Sequence, residues 1–418
     1  MNYLINFNIF RRNRNFTLLY IGQFVSFAGT MITGVALPYQ VYTQTHSTLM
    51  VGLLSLVQLL PLLITALIGG VFADKYHRRM LLLSAEAVLA AGSLLLAVNA
   101  WLPVPQIWVM FVVSSFMSAF NGLHRPALES IVQQIVPKSD LPTVSSLASL
   151  KGSVAMIGGP AVGGLLIASV GLVATYMVDV ASFMVSLTAL ILMRNIPKPQ
   201  NVRDDSTLTS LKQGFRYAFS RQELVGTYVV DFIAMIFGMP TAIFPAIAMS
   251  FGGAKVLGML YAAPAVGALV ISFFSGWVKH VKRHGVAIAV SATLWGAAIV
   301  LFGLSANFWV AWFFLALAGA FDGISGIFRM TMWNETIPHE FRGRLAGIEM
   351  ISYLSGPRLG DTETGLVAAA FGITASIVSG GVLCIVGVGV CCLFLPKFRQ
   401  YHSEQECQPG DGHSLSSA

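Results

Sequence analysis

Long apolar runs recur along the whole of this 418-residue sequence and leave few folds open to it. A helix needs roughly 20 mostly apolar residues to cross the hydrocarbon core of a bilayer. Charged residues make up only 10% of the chain, against about 25% in a soluble domain. The sequence therefore predicts an all-α integral membrane protein with twelve transmembrane helices, over residues 16–41, 49–73, 80–100, 106–124, 142–169, 172–193, 222–248, 255–278, 285–304, 307–328, 345–370 and 374–395.

The basic residues alternate between successive predicted loops. Loops on one side of the bilayer hold 22 of the 25 Lys and Arg residues, whereas the opposite loops hold Lys255 alone. Because cytoplasmic loops are enriched in Lys and Arg, both termini are predicted to be cytoplasmic, in a multi-pass protein of a bacterial inner membrane. The same scatter of charge argues against a nucleic-acid-binding patch, although the net charge is +7.

Two similar segments indicate an internal repeat. Gly159 to Gly164 reads Gly-Pro-Ala-Val-Gly-Gly, and Gly356 to Asp361 reads Gly-Pro-Arg-Leu-Gly-Asp. They lie roughly one half-length apart, which is typical of transporters built from two related bundles with the substrate site between them. The repeat predicts two pseudo-symmetric six-helix bundles. The expected divisions are a bundle over 1–193, a cytoplasmic linker over 194–221, a second bundle over 222–395 and a disordered polar tail over 396–418.

The loop after the second predicted helix carries a recognisable pattern, Gly70-Val-Phe-Ala-Asp-Lys-Tyr-His-Arg-Arg79. It resembles the loop signature of the major facilitator superfamily, with His77 in place of the second glycine of that signature. In the superfamily this loop latches the two halves together in one conformation. The resemblance implies the same role for a set of five residues, Gly70, Asp74, Lys75, Arg78 and Arg79.

The glycine-rich run in the fifth predicted helix, Gly159-Pro160-x-x-Gly163-Gly164, looks like the core of the motif found in antiporters and exporters of the same superfamily. Within the superfamily the chain resembles the enterobactin-exporter branch over nearly all of residues 10–395. The segments that carry this resemblance are Phe16 to Pro38, Gly70 to Arg79, Pro126 to Gly164 and Gly356 to Gly365. The resemblance implies a secondary active exporter of a small molecule, with a siderophore favoured, that works by proton antiport and alternating access and contributes to iron homeostasis. The alternatives are a multidrug, macrolide or lysolipid carrier and, from another class, a non-transporting membrane sensor.

Several ionisable residues fall inside the predicted helices, where they are costly unless they pair or line a cavity. A proton-coupled exporter needs a carboxyl that exchanges protons, and three acids are the candidates: Asp231, Asp361 and Glu363. Arg358 and Asp361 are three residues apart and are expected to meet on one helix face, whereas Asp231 is expected to be more isolated. Glu86 and Asp322, nearer the predicted helix ends, are expected to be structural. A structural ion pair or helix contact is the alternative for each acid.

The candidates for the substrate cavity are basic, polar or aromatic residues inside the helices: Lys151, Arg358, Tyr20, Gln23 and Trp312. Lys151 and Arg358 occupy pseudo-equivalent helices, so a cavity lined by both would favour an anionic substrate. An interfacial or packing role is the alternative for Tyr20, Gln23 and Trp312.

The sequence contains no nucleotide-binding glycine loop, nucleophile elbow or metal-ligand cluster. The four cysteines, at 384, 391, 392 and 407, have no spacing typical of a metal site or a disulfide framework. We therefore expect no enzyme activity, cofactor, metal or nucleic-acid partner. The expected partners are a small-molecule substrate, protons and membrane lipids, with the protein acting as a monomer and an ion gradient supplying the energy.

Overall fold

The computed structural model describes residues 8–194, 216–338 and 342–403, and the regular structure in these ranges is entirely helical. Most of the predicted linker, residues 195–215, lies outside the described residues, as does the end of the predicted tail, 404–418. The repeated apolar runs of the sequence thus form helices, because a membrane-spanning segment must satisfy its backbone hydrogen bonds internally.

The N-terminal half contains six long helices. A continuous helical run, Leu141–Leu192, breaks at Gly171, where φ is +80° and glycine is strongly preferred. This break separates the fifth helix from the sixth where the sequence predicts a boundary. The helices are α1 (Arg14–Thr45), α2 (Thr48–Lys75), α3 (Arg78–Trp101), α4 (Ile107–Ile135), α5 (141–170) and α6 (172–192).

The C-terminal half repeats this arrangement with one difference. The predicted helix over 222–248 is interrupted, because Pro240 has no N–H to donate and a 3₁₀ turn, Thr241–Ile243, follows it. The helices are α7a (Gln222–Phe237), α7b (Phe244–Phe251), α8 (Ala254–Phe273), α9 (His284–Leu304), α10 (Phe308–Thr336), α11 (Arg342–Phe371) and α12 (Ile373–Phe394).

Ten segments within the described part of the chain are long and apolar enough to cross a membrane. One of them, Lys138–Leu192, has 55 residues and comprises α5 and α6. Helix α11 is not among the ten and carries Arg358, Asp361 and Glu363. Counting α5 and α6 separately and adding α11 gives the twelve predicted passes over the described ranges. Helices α4 and α10 extend beyond their predicted ends because backbone hydrogen bonding continues after the apolar run stops.

Two pairs of helices bring the halves together, α2 with α11 and the α5 part of Leu141–Leu192 with α8. These pairs are equivalent under exchange of the halves, since the second helix of each half contacts the fifth helix of the other. The other extensive contacts lie within a half, such as α2 with α4 and α9 with α12. This pairing confirms the predicted pseudo-symmetric bundles.

The repeated glycines explain how the pairing is achieved. In α5, Gly159 and Gly163 face α1, and a Cβ on Gly163 would lie 3.2 Å from the Cα of Ile32. In α11, Gly356 and Gly360 face α7a in the same manner, and a Cβ on Gly360 would lie 2.6 Å from the carbonyl oxygen of Met235. Small residues allow such close approach of helix backbones. The sequence repeat is therefore a repeat of helix contacts.

The beginning of the predicted disordered tail is ordered in the structure, which corrects that expectation. Phe398, in a short helix at Pro396–Arg399, is fully buried against Gly226 of α7a and Gly285 of α9. The Tyr401 hydroxyl donates to Glu335 at 2.9 Å. The polar composition of the tail predicted disorder here, because it does not show that a single aromatic residue, Phe398, anchors the segment.

Candidate functional site

The two halves meet closely at one end of the bundle, which we call the Gly171 end after the residue between α5 and α6. Near this end Thr48 of α2 donates to the carbonyl oxygen of Gly365 in α11 at 3.1 Å. On the other crossing, a Cβ on Gly164 would lie 2.5 Å from the carbonyl oxygen of Ala254. The halves are therefore in direct backbone contact at both crossings near the Gly171 end.

Polar groups of α11 reach across the same interface. Ser55 of α2 donates to Asp361 at 2.8 Å, and Thr241 donates to the other carboxylate oxygen. Arg358 donates to Gln58 of α2. Arg358 and Asp361 thus lie on the side of α11 that contacts α2, but each bonds to a different residue there. Glu363 accepts from the neighbouring Thr364 at 3.4 Å.

The sequence-based interpretation of Asp231 as an isolated carboxylate is wrong. Its side chain forms an ion pair with Arg329, and Arg329 also lies 3.7 Å from Asp322. The predicted tenth helix ends at residue 328 and leaves Arg329 in a cytoplasmic loop, but the residue lies inside α10, as Arg125 lies inside α4. The apolar run ended before Arg329, so hydropathy could not place its side chain opposite α7a.

A buried polar cluster occupies the N-terminal half. Glu86 of α3 is completely buried and accepts from Gln23 at 2.7 Å and from Ser26 at 3.2 Å. Its Oε1 atom also lies 3.0 Å from the Nε2 atom of His124. Gln23 also donates to Ser186 of α6 at 3.1 Å. Gln23, a predicted cavity residue, is thus 4% exposed and committed to this cluster.

Asp179 of α6 forms a second buried polar group in the same half. Thr33 and Ser93 both donate to the same carboxylate oxygen, Oδ2, at 2.6 Å. Ser182 donates to the second oxygen, Oδ1, at 3.3 Å. Farther along, the hydroxyl of Tyr176 donates to Gln40 at 2.7 Å. Hydroxyl and amide groups between α1, α3 and α6 therefore compensate the burial of both acids.

The sequence analysis did not identify His124 at all. It ended the fourth helix at residue 124, whereas α4 continues to Ile135 and places His124 well inside the bundle. The available signal was a histidine at the edge of an apolar run, followed by Arg125 and Pro126. Only the packing of α3 against α4 shows that this histidine meets Glu86.

Lys151 of α5 lies close enough to Glu86 for their charges to interact, as Arg358 does to Asp361. Each predicted cavity cation therefore has a carboxylate nearby, and the two do not by themselves create an unbalanced positive cavity. The preference for an anionic substrate stays a prediction.

The two aromatic cavity candidates contact backbone within their own halves. The Tyr20 hydroxyl donates to the carbonyl oxygen of Leu147 at 2.9 Å. The Trp312 indole donates to the carbonyl oxygen of Met259 at 3.0 Å. Both polar groups thus bond to backbone in this structure, and a cavity role for these residues stays a prediction.

The predicted latch is only partly described. The burial of Gly70 and the side chains of Asp74 and Lys75 lie outside the described set, and Arg78 is partly buried. Arg79 donates to the carbonyl oxygens of Leu190 at 2.8 Å and Ile191 at 2.6 Å. These contacts stabilise the C-terminal end of α6, where carbonyl groups lack helical partners. They lie within the N-terminal half, so the latch role stays a prediction.

No group of three or more His, Cys, Asp or Glu side chains suited to a metal ion occurs among the described residues. What the described polar groups offer is proton exchange and hydrogen bonding, at Glu86 with His124, at Asp179 and at Asp361. Acids held at membrane depth are candidates for proton relays in transport proteins.

Comparison with known proteins identifies a family. A profile of transmembrane secretion effectors matches residues 7–410. The enterobactin exporters EntS of Citrobacter koseri and Salmonella typhi are each 28% identical to the chain, over 96% of its length and 97% of theirs.

Solved structures show the same fold at low identity. A bacterial homologue of the human lysosomal transporter Spinster, in an inward-facing and unoccupied conformation, has a TM-score of 0.73 at 14% identity, covering 92% of this chain and 98% of its own. A POT family transporter in complex with 5-aminolevulinic acid has a TM-score of 0.72 at 13% identity, with coverages of 92% and 97%. At these identities the similarity concerns the fold alone.

Proposed function

Because the chain belongs to the transmembrane secretion effector family of the major facilitator superfamily, we propose that it exports a siderophore from a bacterial cell. The observation that carries the proposal is the end-to-end similarity to enterobactin exporters, over 96% of this chain and 97% of theirs. The family makes the chain a multi-pass membrane transporter, and the cargo and its direction of movement are the proposed part.

Alternating access is the proposed mechanism. Its support is the nature of the contacts between the halves, which are glycine crossings and hydrogen bonds from Thr48, Ser55 and Arg358. Water can replace the partners of such hydrogen bonds when the halves separate. Two bundles that rock about a central site fit this type of interface.

We propose that the Gly171 end faces the periplasm and that both termini are cytoplasmic. The support is the excess of Lys and Arg in the loops of the opposite end. In this orientation the described state is closed toward the periplasm, and the protein lies in the inner membrane among lipids, as a monomer.

The proposed driving force is an inward flow of protons. Asp361 is the best placed of the three sequence-based candidates, because its bond to Ser55 joins the halves and must break when they separate at the Gly171 end. Asp231 is less suited, since its charge is held by Arg329. Glu363 and the latch residues Asp74 and Arg78 stay sequence-based candidates for coupling and for closure.

Siderophore release from cells tests the proposed cargo. The chain is expressed in a strain that makes enterobactin but lacks its own exporter, and enterobactin in the medium is measured by mass spectrometry under iron limitation. We expect release to rise above that of cells with an empty vector. Unchanged release with normal membrane expression would contradict the proposal, and drug resistance in the same cells would instead favour a multidrug exporter.

A further inference from the structure

The hydrogen bond between Glu86 and His124 has one direction when Glu86 is ionised, because a carboxylate can only accept. Glu86 accepts at Oε1 from the Gln23 amide, which can only donate there, and from the Nε2 side of the His124 ring at 3.0 Å. A carboxylate that accepts from the ring requires a proton on Nε2. The other ring nitrogen, Nδ1, is then an acceptor in neutral His124 and a donor once the ring is protonated.

His124 is the accessible member of this pair. Its side chain is 15% exposed, whereas that of Glu86 is 0% exposed. Among the described residues, Nδ1 of His124 has no hydrogen-bond partner, although Nε2 is held by Glu86. Glu86 thus orients the ring, and Nδ1 is left for another hydrogen-bond partner.

Charges around the pair come from several helices. Helix α5 contributes Lys151 and α6 contributes Asp179, and both interact with the charge of Glu86. Beside His124 on α4, Arg125 pairs with Glu129 at 3.2 Å. Helix α1 contributes Gln23 and Ser26, with the Tyr20 hydroxyl directed to the backbone, and α2 has no titratable residue from 48 to 69.

Lys151 carries a charge opposite to that of Glu86, whereas Asp179 is a second acid in the same group. The net charge of Lys151, Glu86, Asp179 and His124 together rises by one when His124 gains a proton. A change of that size inside a bundle is a suitable signal for a transporter.

We propose that His124, oriented by Glu86, is the site where a proton and a hydroxyl group of the cargo compete. The cargo class is one that donates hydrogen bonds, such as a phenol or catechol. A neutral ring accepts the cargo hydroxyl at Nδ1, and a protonated ring cannot, so a proton arriving from the periplasm expels the cargo. The proton leaves Nδ1 toward the cytoplasm before the next cargo binds. This inference rests on the proposed exchange of cargo for protons.

The sign of the coupling follows from this competition. Proton binding and cargo binding exclude each other at one nitrogen, so acid weakens cargo binding and cargo binding releases a proton. Because linkage is reciprocal, acid that protonates the ring raises the apparent Kd by up to about tenfold for each pH unit.

The test uses the purified full-length protein and enterobactin as the probe. Binding is measured between about pH 8 and about pH 5, the range in which histidine side chains titrate, together with the protons released on binding. Glu129→Gln is the matched control, since Glu129 is an exposed acid on α4. We expect proton release from the unchanged protein and from Glu129→Gln, and pH-independent binding with no proton release from His124→Gln.

Transport in proteoliposomes separates the inference from the proposed function. Glu86→Gln and His124→Gln are expected to lose accumulation driven by a pH gradient at least about tenfold, while exchange of labelled for unlabelled enterobactin at equal pH continues. Gradient-driven accumulation by both variants at the level of Glu129→Gln would overturn the inference. The absence of any gradient-driven accumulation by the unchanged protein, despite exchange, would overturn proton antiport itself.

If both substitutions prevent folding, the number of protons that the unchanged protein releases on binding enterobactin still tests the inference. Binding of enterobactin without proton release across the whole pH range would overturn the inference, because competition at His124 requires that release.

Discussion

The closed contact at the Gly171 end depends on glycines that leave no room for a side chain. A Cβ on Gly164 would lie 2.5 Å from the carbonyl oxygen of Ala254 and 2.8 Å from the backbone nitrogen of Gly258. Both are backbone atoms of α8, so neither moves without moving the helix. Gly164→Ala should therefore push α5 and α8 apart and favour the conformation in which the Gly171 end is open.

The size of this effect follows from the cost of overpacking. One methyl group forced into a close contact costs about 1–3 kcal/mol, which changes a two-state equilibrium roughly 5- to 150-fold. Gly158 offers a matched control on α5, because a Cβ there meets nothing within 4 Å. Both substitutions improve helix propensity to the same extent, so their difference isolates the contact with α8.

Thiol labelling measures the opening. Thr48 is 9% exposed and bonds across the α2–α11 crossing, so a cysteine at this position reports on the crossing that the substitution does not touch. In a chain whose own four cysteines are replaced by serine, Gly164→Ala should raise the maleimide reaction rate of Thr48→Cys roughly 5- to 150-fold. Equal rates for Gly164→Ala and Gly158→Ala would refute the argument that glycine contacts set the equilibrium between states.

Three further predictions concern stability and topology. Asp231→Asn should lower the free energy of unfolding by about 3 kcal/mol, because it removes the nearer of the two carboxylates that pair with the buried Arg329 charge and leaves only Asp322, at 3.7 Å. Thermal unfolding in detergent measures this, and an unchanged Tm would show that the ion pair is not needed. Phe398→Ala should cost about 3–5 kcal/mol by leaving a cavity, whereas Phe394→Ala, at an exposed position, should have a much smaller effect in the same assay. A reporter active only in the periplasm should be active when fused after Ser305 and inactive at the C-terminus, and the reverse pattern would overturn the proposed orientation.

Helix positions were largely predictable because a single local property determines them. Apolar runs end near the limits of the bilayer, and the break at Gly171 coincides with the predicted boundary between the fifth and sixth helices. The glycines at 159 and 356 also had a local signature, since repeated small residues at helical spacing indicate close helix packing. Such features are read from neighbouring residues in the sequence.

The polar contacts between helices were not predictable in the same way. Whether Asp231 faces Arg329, or Glu86 faces His124, depends on how two separate helices are rotated and aligned, and hydropathy contains neither quantity. The sequence analysis placed Arg329 in a loop, which hid the ion pair, and ended the fourth helix at His124. The break in the seventh helix was missed although Pro240 signalled it, because proline is tolerated in many membrane helices.

Transport of enterobactin into inside-out membrane vesicles tests the proposed function most directly, since export from a cell becomes accumulation in such vesicles. Vesicles that contain the protein and hold a proton gradient, acidic inside, should accumulate the compound, and a protonophore should abolish the accumulation. Accumulation no greater than in vesicles without the protein, at a confirmed level of the folded chain, would contradict siderophore export.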